Sequence, residues 1–455
     1  MSKTVVGDFT KGSVAQNIMR MAWPLIFAQI VSVLYNIIDR MFIGHLPGIG
    51  GVALTGLGIV FPFISLINAC ANWIGQGGSS FFSIERGRGD VDKARLILGN
   101  SCSLILMFSV ALMLLGYTAE TPLLKLFGST PETFEYSATY LRIYLLGTPF
   151  QLISIALNAF ISAQGFAAIG MLSVIIGAIL NIFLDFILIS ILNMGVSGAA
   201  IATIISQMVS AIWIVSFLSG KRTLIRIEIN KLKPNIFIIK QILNIGLANF
   251  FFQANDTLVQ TVSNHMLLSF GGHVFVGIMT VVMSIMMVFA LPLSGLSNAV
   301  KPFLSFNYGA GRTDRMIDGI HFMLKCTVGS CLVTTIIVLS LPRLLLSLFT
   351  SNPLYVEQGI LPLRLFFVFF TFMALQNTGQ ATFTALGLAK EATFFSLLRK
   401  VFVIIPLTIV LPYIMGINGV FIAEAISQLT VGSICYASMH HRVIKRVRNN
   451  IPLRL

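Results

Sequence analysis

Two carboxylates, Asp39 and Asp185, interrupt apolar runs from which this chain otherwise excludes charge. The first lies in Leu34-Tyr35-Asn36-Ile37-Ile38-Asp39-Arg40, the second in Ile179-Leu180-Asn181-Ile182-Phe183-Leu184-Asp185-Phe186. An ionised carboxylate in hydrocarbon costs at least ~3 kcal/mol, so such groups mark ion or substrate pathways and proton relays. Two brought together cannot both ionise cheaply, so one proton is shared between them, and the same oxygens can coordinate sodium instead. A pair that trades a proton for a cation is a coupling device. The structural alternative is a pair of acids bonded to Arg40 and a serine.

The elements that carry these acids follow from composition. The chain has 455 residues, 56% hydrophobic and 10% charged, with a mean hydropathy of +0.90. So little charge cannot cover a soluble domain of this size, which leaves an integral membrane protein. The net charge of +14 raises nucleic acid as a partner. The basic residues are scattered between apolar runs without interleaved aromatics, so no nucleic-acid partner is expected. Five cysteines (Cys70, Cys102, Cys326, Cys331, Cys435) lie in or beside apolar segments with no Cys-x-x-Cys pair. Neither a disulfide scaffold nor a zinc site is indicated, and no cofactor is expected. The first seventeen residues are polar and the apolar run after them is long enough to remain as an anchor, so no cleavable signal peptide is expected.

A helix needs about 20 apolar residues to cross the hydrocarbon core. Runs of that length predict twelve spans, near 18–43, 54–82, 95–117, 138–162, 167–191, 196–219, 240–268, 275–299, 318–342, 359–384, 392–414 and 418–440. Alternate connections hold 22 of the 30 basic residues, from Lys3, Lys11 and Arg20 through the 220–239 loop to Arg448 and Arg454. The opposite set holds Lys125 and Arg343 but also Glu120, Glu132, Glu135 and Glu357. The positive-inside rule then puts both termini and the 220–239 loop in the cytoplasm, with the chain in the cytoplasmic membrane.

The halves repeat. Ser83-Ile84-Glu85-Arg86-Gly87-Arg88-Gly89-Asp90-Val91-Asp92 after span 2 answers to Ser305-Phe306-Asn307-Tyr308-Gly309-Ala310-Gly311-Arg312-Thr313-Asp314 after span 8, at a shift of 222. The same shift takes Arg142 to Arg364 and Gly165 to Gly387. A shift of 221 takes Gly195-x-x-Gly198 to Gly416-x-x-Gly419 and Ser206-Gln207 to Ser427-Gln428, and one of 224 takes Gln29 to Gln253. The fold class is therefore all-α, with twelve transmembrane helices in two pseudo-symmetric six-helix lobes. The organisation reads as a cytoplasmic segment 1–17, an N-lobe 18–219, an inter-lobe loop 220–239, a C-lobe 240–440 and a basic tail 441–455. Parallel repeats of this kind are a plan of alternating-access transporters.

With these features the chain resembles the multidrug and toxic compound extrusion (MATE) family, in its DinF-like branch. The resemblance rests on Ala22-Trp23-Pro24-Leu25-Ile26 with Gln29 in span 1, the glycine motifs after spans 2 and 8, and the Gly-x-x-Gly starts of spans 6 and 12. It implies an N-lobe cation site of Asp39, Asn181 with Asp185, and Thr203, with Tyr35 one turn from Asp39. It also implies H⁺ or Na⁺ as coupling ion and a transporter, not an enzyme. Depth agrees: at 1.5 Å per residue the three spans place Asp39, Asp185 and Thr203 roughly 6–11 Å below the outer boundary. Asn181 and Asp185 share a helix face, as do Tyr35 and Asp39. Taken alone, Asn181 and Thr203 would more often join helices than bind ions.

The C-lobe site of the other MATE branch is not matched. The register gives Gln253 where that branch has Glu, and uncharged Gln376-Asn377 where it has Asp. Two other C-lobe acids, Asp256 and Glu424 (the repeat partner of Thr203), are expected to attract cationic substrate. Both have bland readings, a local cap for Asp256 and a helix-start acid for Glu424. Met279, Met283, Met286 and Met287 in span 8, with Phe150, Phe160 and Phe183, are candidate cavity residues because Met and Phe repack around varied apolar shapes. Pro24 and Pro292 are expected to bend their helices. The leading reading is a secondary antiporter that exports amphipathic organic cations against H⁺ or Na⁺ and functions as a monomer. The alternative is a lipid-linked oligosaccharide flippase, whose anionic diphosphate cargo calls for free Arg or Lys in the cavity. No Walker-type loop, metal cluster or Ser/His dyad points to an ATP-driven pump or an intramembrane enzyme.

Overall fold

The computed structural model describes residues 8–46, 50–349, 352–449 and 451. Lys3 and Arg454, counted above among the cytoplasmic bases, lie outside them. The described residues form helices and turns without strands, as expected where hydrocarbon leaves every backbone N–H and C=O to be satisfied within its own segment.

Six spans make the first half: α1 (Val14–Gly44), α2 (Gly50–Arg88), α3 (Val91–Thr118), α4, α5 and α6 (Gly195–Ser219). α4 is a pair, Pro131–Leu146 and Thr148–Ala163, bent by 56° where Pro149 follows Gly147. α5 is Ala167–Asp185, prolonged by the π-helical turn Phe186–Ile191. The second half opens with one 74-residue run, Ile236–Gly309, that holds two spans. They are α7 (236–271) and α8 (273–309), parted at Gly272, whose φ of 72° a side chain rarely tolerates. α9 is Thr313–Ser340; α10 joins Pro353–Phe367 to Met373–Ala385 through the 3₁₀ turn Phe370–Phe372. α11 joins Ala389–Leu397 and Ile405–Met415 through the π-helical turn Leu398–Ile404. α12 is Asn418–Met439, continued to Arg448. Each of the twelve predicted spans falls on one of these helices. α2 outruns its predicted end because Arg86 and Arg88 complete its last turn, where the dipole favours cations.

The repeat is also one of backbone. Gly89 and Gly311 (φ 83° and 68°), Gly165 and Gly387 (89° and 74°), and Gly195 and Gly416 (57° and 63°) take the left-handed conformation pairwise. Short helices Glu120–Leu126 and Pro342–Ser347, not anticipated from hydropathy, follow α3 and α9 at the same shift of 222.

Contacts divide the chain into two compact units, one of residues 1–11 and 23–250 and one of 12–22 and 251–455. The division falls at 250/251, inside α7, and not in the 220–239 loop. The reason is local. Trp73 Nε1 of α2 donates to Leu243 O at 2.7 Å, and the Asn235 backbone N–H donates to Asn100 Oδ1 at 2.6 Å. A Cβ on Gly77 would sit 2.2 Å from Ile242 O, and one on Gly246 would sit 2.0 Å from Trp73 O. The first turns of α7 are thus locked onto α2 and α3. Conversely, Arg315 Nη1 donates to Gly12 O at 2.9 Å, which holds the start of α1 in the second unit. The first unit's core includes Phe82 packed edge-on against Phe160, ring centroids 5.4 Å apart; the second is centred on buried Phe366, Phe367, Phe370 and Phe421.

Because backbone fills the space beside Gly77 and Gly246, either residue changed to Ala should lower stability by about 1–3 kcal/mol. Gly58 has nothing within 4 Å of its would-be Cβ, so Gly58→Ala should stay within ~0.5 kcal/mol of the parent. Thermal unfolding of the purified variants in detergent checks the contrast.

Candidate ion-coupling site

Asp39 stands near the C-terminal end of α1 and Asp185 is the last α-helical residue of α5, where the π-helical turn begins. Such turns re-aim the side chains beside them and recur at functional sites. Asp39, Asp185 and Asn181 are 9%, 0% and 2% exposed, so water does not compensate their polar atoms. The Asp39 and Asp185 carboxyl groups lie within hydrogen-bonding reach of each other. Two carboxylates have no proton to donate, so that contact is attractive only when one of them carries one.

The remaining oxygens have no donor. Asp39 Oδ1, both Asp185 oxygens and Asn181 Oδ1 accept no hydrogen bond from any described residue. Arg40, the basic residue next in sequence, is exposed and lies over the Phe61 ring at 5.3 Å. No ion pair joins it to Asp39 among the described residues. The bonded-to-Arg40 alternative is therefore not realised. What remains is a buried set of oxygen acceptors, a donor set suited to a proton or a hard cation and not to a soft metal. Asp39, Asp185 and Asn181 would supply the ligand oxygens to sodium.

Thr203 and Tyr35 border this group. Thr203 Oγ1 donates to Ala199 O at 3.0 Å and lies beside the Tyr140 hydroxyl. Tyr35, half-buried, lies on the Asp39 face of α1 within electrostatic range of that carboxylate. Two residues escaped the sequence reading, Tyr140 and Tyr144 of α4. They are 3% and 2% exposed, stack with ring centroids 5.9 Å apart, and lie in the field of Asp39. Gln207 Nε2 of α6 donates to the Tyr144 hydroxyl at 3.5 Å. The available signal was their i, i+4 spacing in a chain with only nine tyrosines.

The other expected site residues are not gathered here. Asp256 is exposed and takes an ion pair from Lys400, and buried Glu424 takes one from Arg399. Each of these acids, expected to attract cationic substrate, thus has a basic partner at rest that the sequence did not reveal. Gln253 is half-buried on α7. Met283 is half-buried on α8 and Met287 is 54% exposed. Phe150 is half-buried beyond the bend of α4. Phe160 and Met279 are packed into the two cores, so they do not line a cavity. Phe183 is exposed.

A six-span pattern repeated along the chain, with acids buried in α1 and α5 of the first repeat, is the plan of a membrane transporter. The family follows: the MatE family model matches residues 24–187 and 249–410, and the chain belongs to that family. It is a multi-pass transporter and not an enzyme. A multidrug export protein MepA of Staphylococcus haemolyticus (strain JCSC1435) is 26% identical over 438 residues, covering 94% of this chain and 95% of that one. The MepA of Staphylococcus aureus (strain MRSA252) is 25% identical with the same coverage. Among solved structures, an outward-facing multidrug resistance MATE family transporter of the MOP superfamily superposes with a TM-score of 0.91 at 24% identity, covering 99% of this chain and 100% of that one. A MOP superfamily transporter from Pyrococcus furiosus, described as having a binding pocket of reverse polarity, gives 0.91 at 23% identity, covering 98% and 100%. These likenesses establish the fold.

The Gln207–Tyr144 hydrogen bond ties α4 to α6 beside the acids. A double-mutant cycle of Tyr144→Phe and Gln207→Leu, read by thermal unfolding, should give a coupling of about 0.5–1.5 kcal/mol. Strict additivity would show that the bond does not form.

Proposed function

We propose that this chain is a secondary antiporter of the cytoplasmic membrane that exports amphipathic organic cations against protons or sodium, by alternating access, as a monomer with both termini in the cytoplasm. The observation that carries the reading is the Asp39–Asp185 contact: two buried acids, within reach of each other, with oxygens that no described donor satisfies. Left unneutralised, such a pair is expensive in hydrocarbon. A proton arriving from outside removes one charge and makes the carboxyl–carboxyl contact attractive. Its departure restores repulsion, which drives α1 and α5 apart or calls in a sodium ion. Pro24 lies within α1, between Asp39 and the 12–22 segment that packs in the other unit. Occupancy of the site can therefore be felt along α1. The relatives named multidrug export protein support drug-like cargo. The pairing of Lys400 and Arg399 with acids counts against the flippase alternative, because neither base is left over to hold a diphosphate.

The test is efflux of ethidium from cells expressing the chain, with the proton and sodium gradients collapsed separately. Gradient-dependent efflux that falls at least tenfold in both Asp39→Asn and Asp185→Asn, with a double mutant no worse than either, is the expected result and names the ion. Normal efflux in both single mutants would refute the mechanism. Absent cation export from well-inserted protein would favour the flippase.

A further inference from the structure

Four charges of the second unit are arranged as two ion pairs around one irregular turn. Arg399 and Lys400 are consecutive on the π-helical turn of α11 and are 2% and 7% exposed. Arg399 donates to Glu424 of α12, which also accepts from Gln428 Nε2 at 3.3 Å. Lys400 donates to Asp256 of α7. The two pairs differ in access: the Arg399 and Glu424 side chains are 2% and 8% exposed, whereas Asp256 is 52% exposed against 8% for Lys400. The accessible partner is the carboxylate and the enclosed one is the ammonium.

What surrounds the Lys400 ammonium is the chemistry that recognises organic cations. Its Nζ lies 5.4 Å from the centroid of the Phe252 ring while it holds Asp256. Phe252 and Asp256 are four residues apart on α7, so one helix face presents an aromatic surface and a carboxylate together. A carboxylate beside an aromatic face is a site for ammonium and quaternary nitrogen. A second berth for the displaced lysine is at hand: Lys400 already acts on Glu424 electrostatically, and Gln428 Oε1 beside it is buried and accepts no hydrogen bond. A π-helical turn can shift a side chain without unwinding the helix around it.

We propose that Phe252 and Asp256 form a binding site for monovalent organic cations, that Lys400 is a tethered cation filling it at rest, and that cargo enters by displacing Lys400 toward Glu424 and Gln428. The incoming cation takes the ammonium's place at Asp256 and the ammonium joins Arg399 at Glu424, so the group carries one more positive charge with cargo bound than at rest, placed against Glu424 and the unsatisfied Gln428 Oε1. The site rests on the reading of the chain as an exporter of organic cations. It makes Lys400 a specificity residue, because only a cation able to outcompete a primary amine for Asp256 is bound.

Ethidium binding by fluorescence polarisation to the purified full chain in detergent tests this, with the melting temperature of each variant recorded. A tethered competitor lowers apparent affinity by the fraction of sites it leaves free. Lys400→Gln should therefore bind ethidium about fivefold tighter or more, Asp256→Asn should bind it more weakly, and the double variant should match Asp256→Asn. Lys400→Gln that folds but binds no tighter would overturn the proposal, as would a double variant that keeps the gain. Should Lys400→Gln fail to fold, Lys400→Arg decides: a guanidinium grips the carboxylate in two-point fashion, so binding should weaken, and unchanged or tighter binding would overturn the proposal. Ethidium bound by no variant, the parent included, would refute the cationic-cargo reading itself.

Discussion

Hydrocarbon does not tolerate a charge without a partner, and the arrangement of this molecule follows from that. Four charges of α7, α11 and α12 solve the problem internally, as Arg399 with Glu424 and Lys400 with Asp256. Asp39 and Asp185 do not: among the described residues no base forms an ion pair with either, and Arg40, which acts on Asp39 electrostatically, makes no contact that neutralises it. Their neutralisation has to come from solution, as a proton or a cation. A site that must take an ion from solution to be comfortable in its own fold is a site through which an ion gradient can act.

Two copies of one backbone are put to different uses by a few side chains. The left-handed glycines recur pairwise, and so do the short helices at 120 and 342. The polar residues of the acid site do not recur. Thr203, beside Tyr140 and the buried acids, is replaced in the second half by Glu424, which binds a buried arginine. At the shift of 224 that relates Gln29 to Gln253, Asp39 falls on Ser263; at 221, Asp185 falls on Pro406. The C-lobe thus cannot reproduce the proton-sharing pair. The backbone is thus symmetric between the halves, while the buried acid pair belongs to one of them alone.

How much of this the sequence carries depends on the kind of information. Span positions and the repeat were readable because hydropathy and glycine placement act along the chain, within one helix or one turn. Asp39 and Asp185 stood out because acids are rare in such runs. Contacts across helices were not readable. Whether Asp256 faces cargo or Lys400 depends on how α7 and α11 are rotated, and an apolar stripe cannot set that rotation when nearly every face is apolar. Phe160 failed as a cavity residue for the same reason, since it packs on Phe82 in the core. Tyr140 and Tyr144 were hidden because nothing along α4 points to α1. The 250/251 division was missed because it depends on Gly77 and Gly246 letting two backbones touch.

The central claim is that Asp39 and Asp185 share a titrating proton. Infrared difference spectroscopy of the reconstituted protein through a pH titration reads the protonated-carboxyl stretch directly. One protonated-carboxyl band that titrates in the parent and is lost in both Asp39→Asn and Asp185→Asn is the predicted result. A band unchanged in either variant, or no titrating carboxyl at all, would contradict the shared proton and the coupling mechanism built on it.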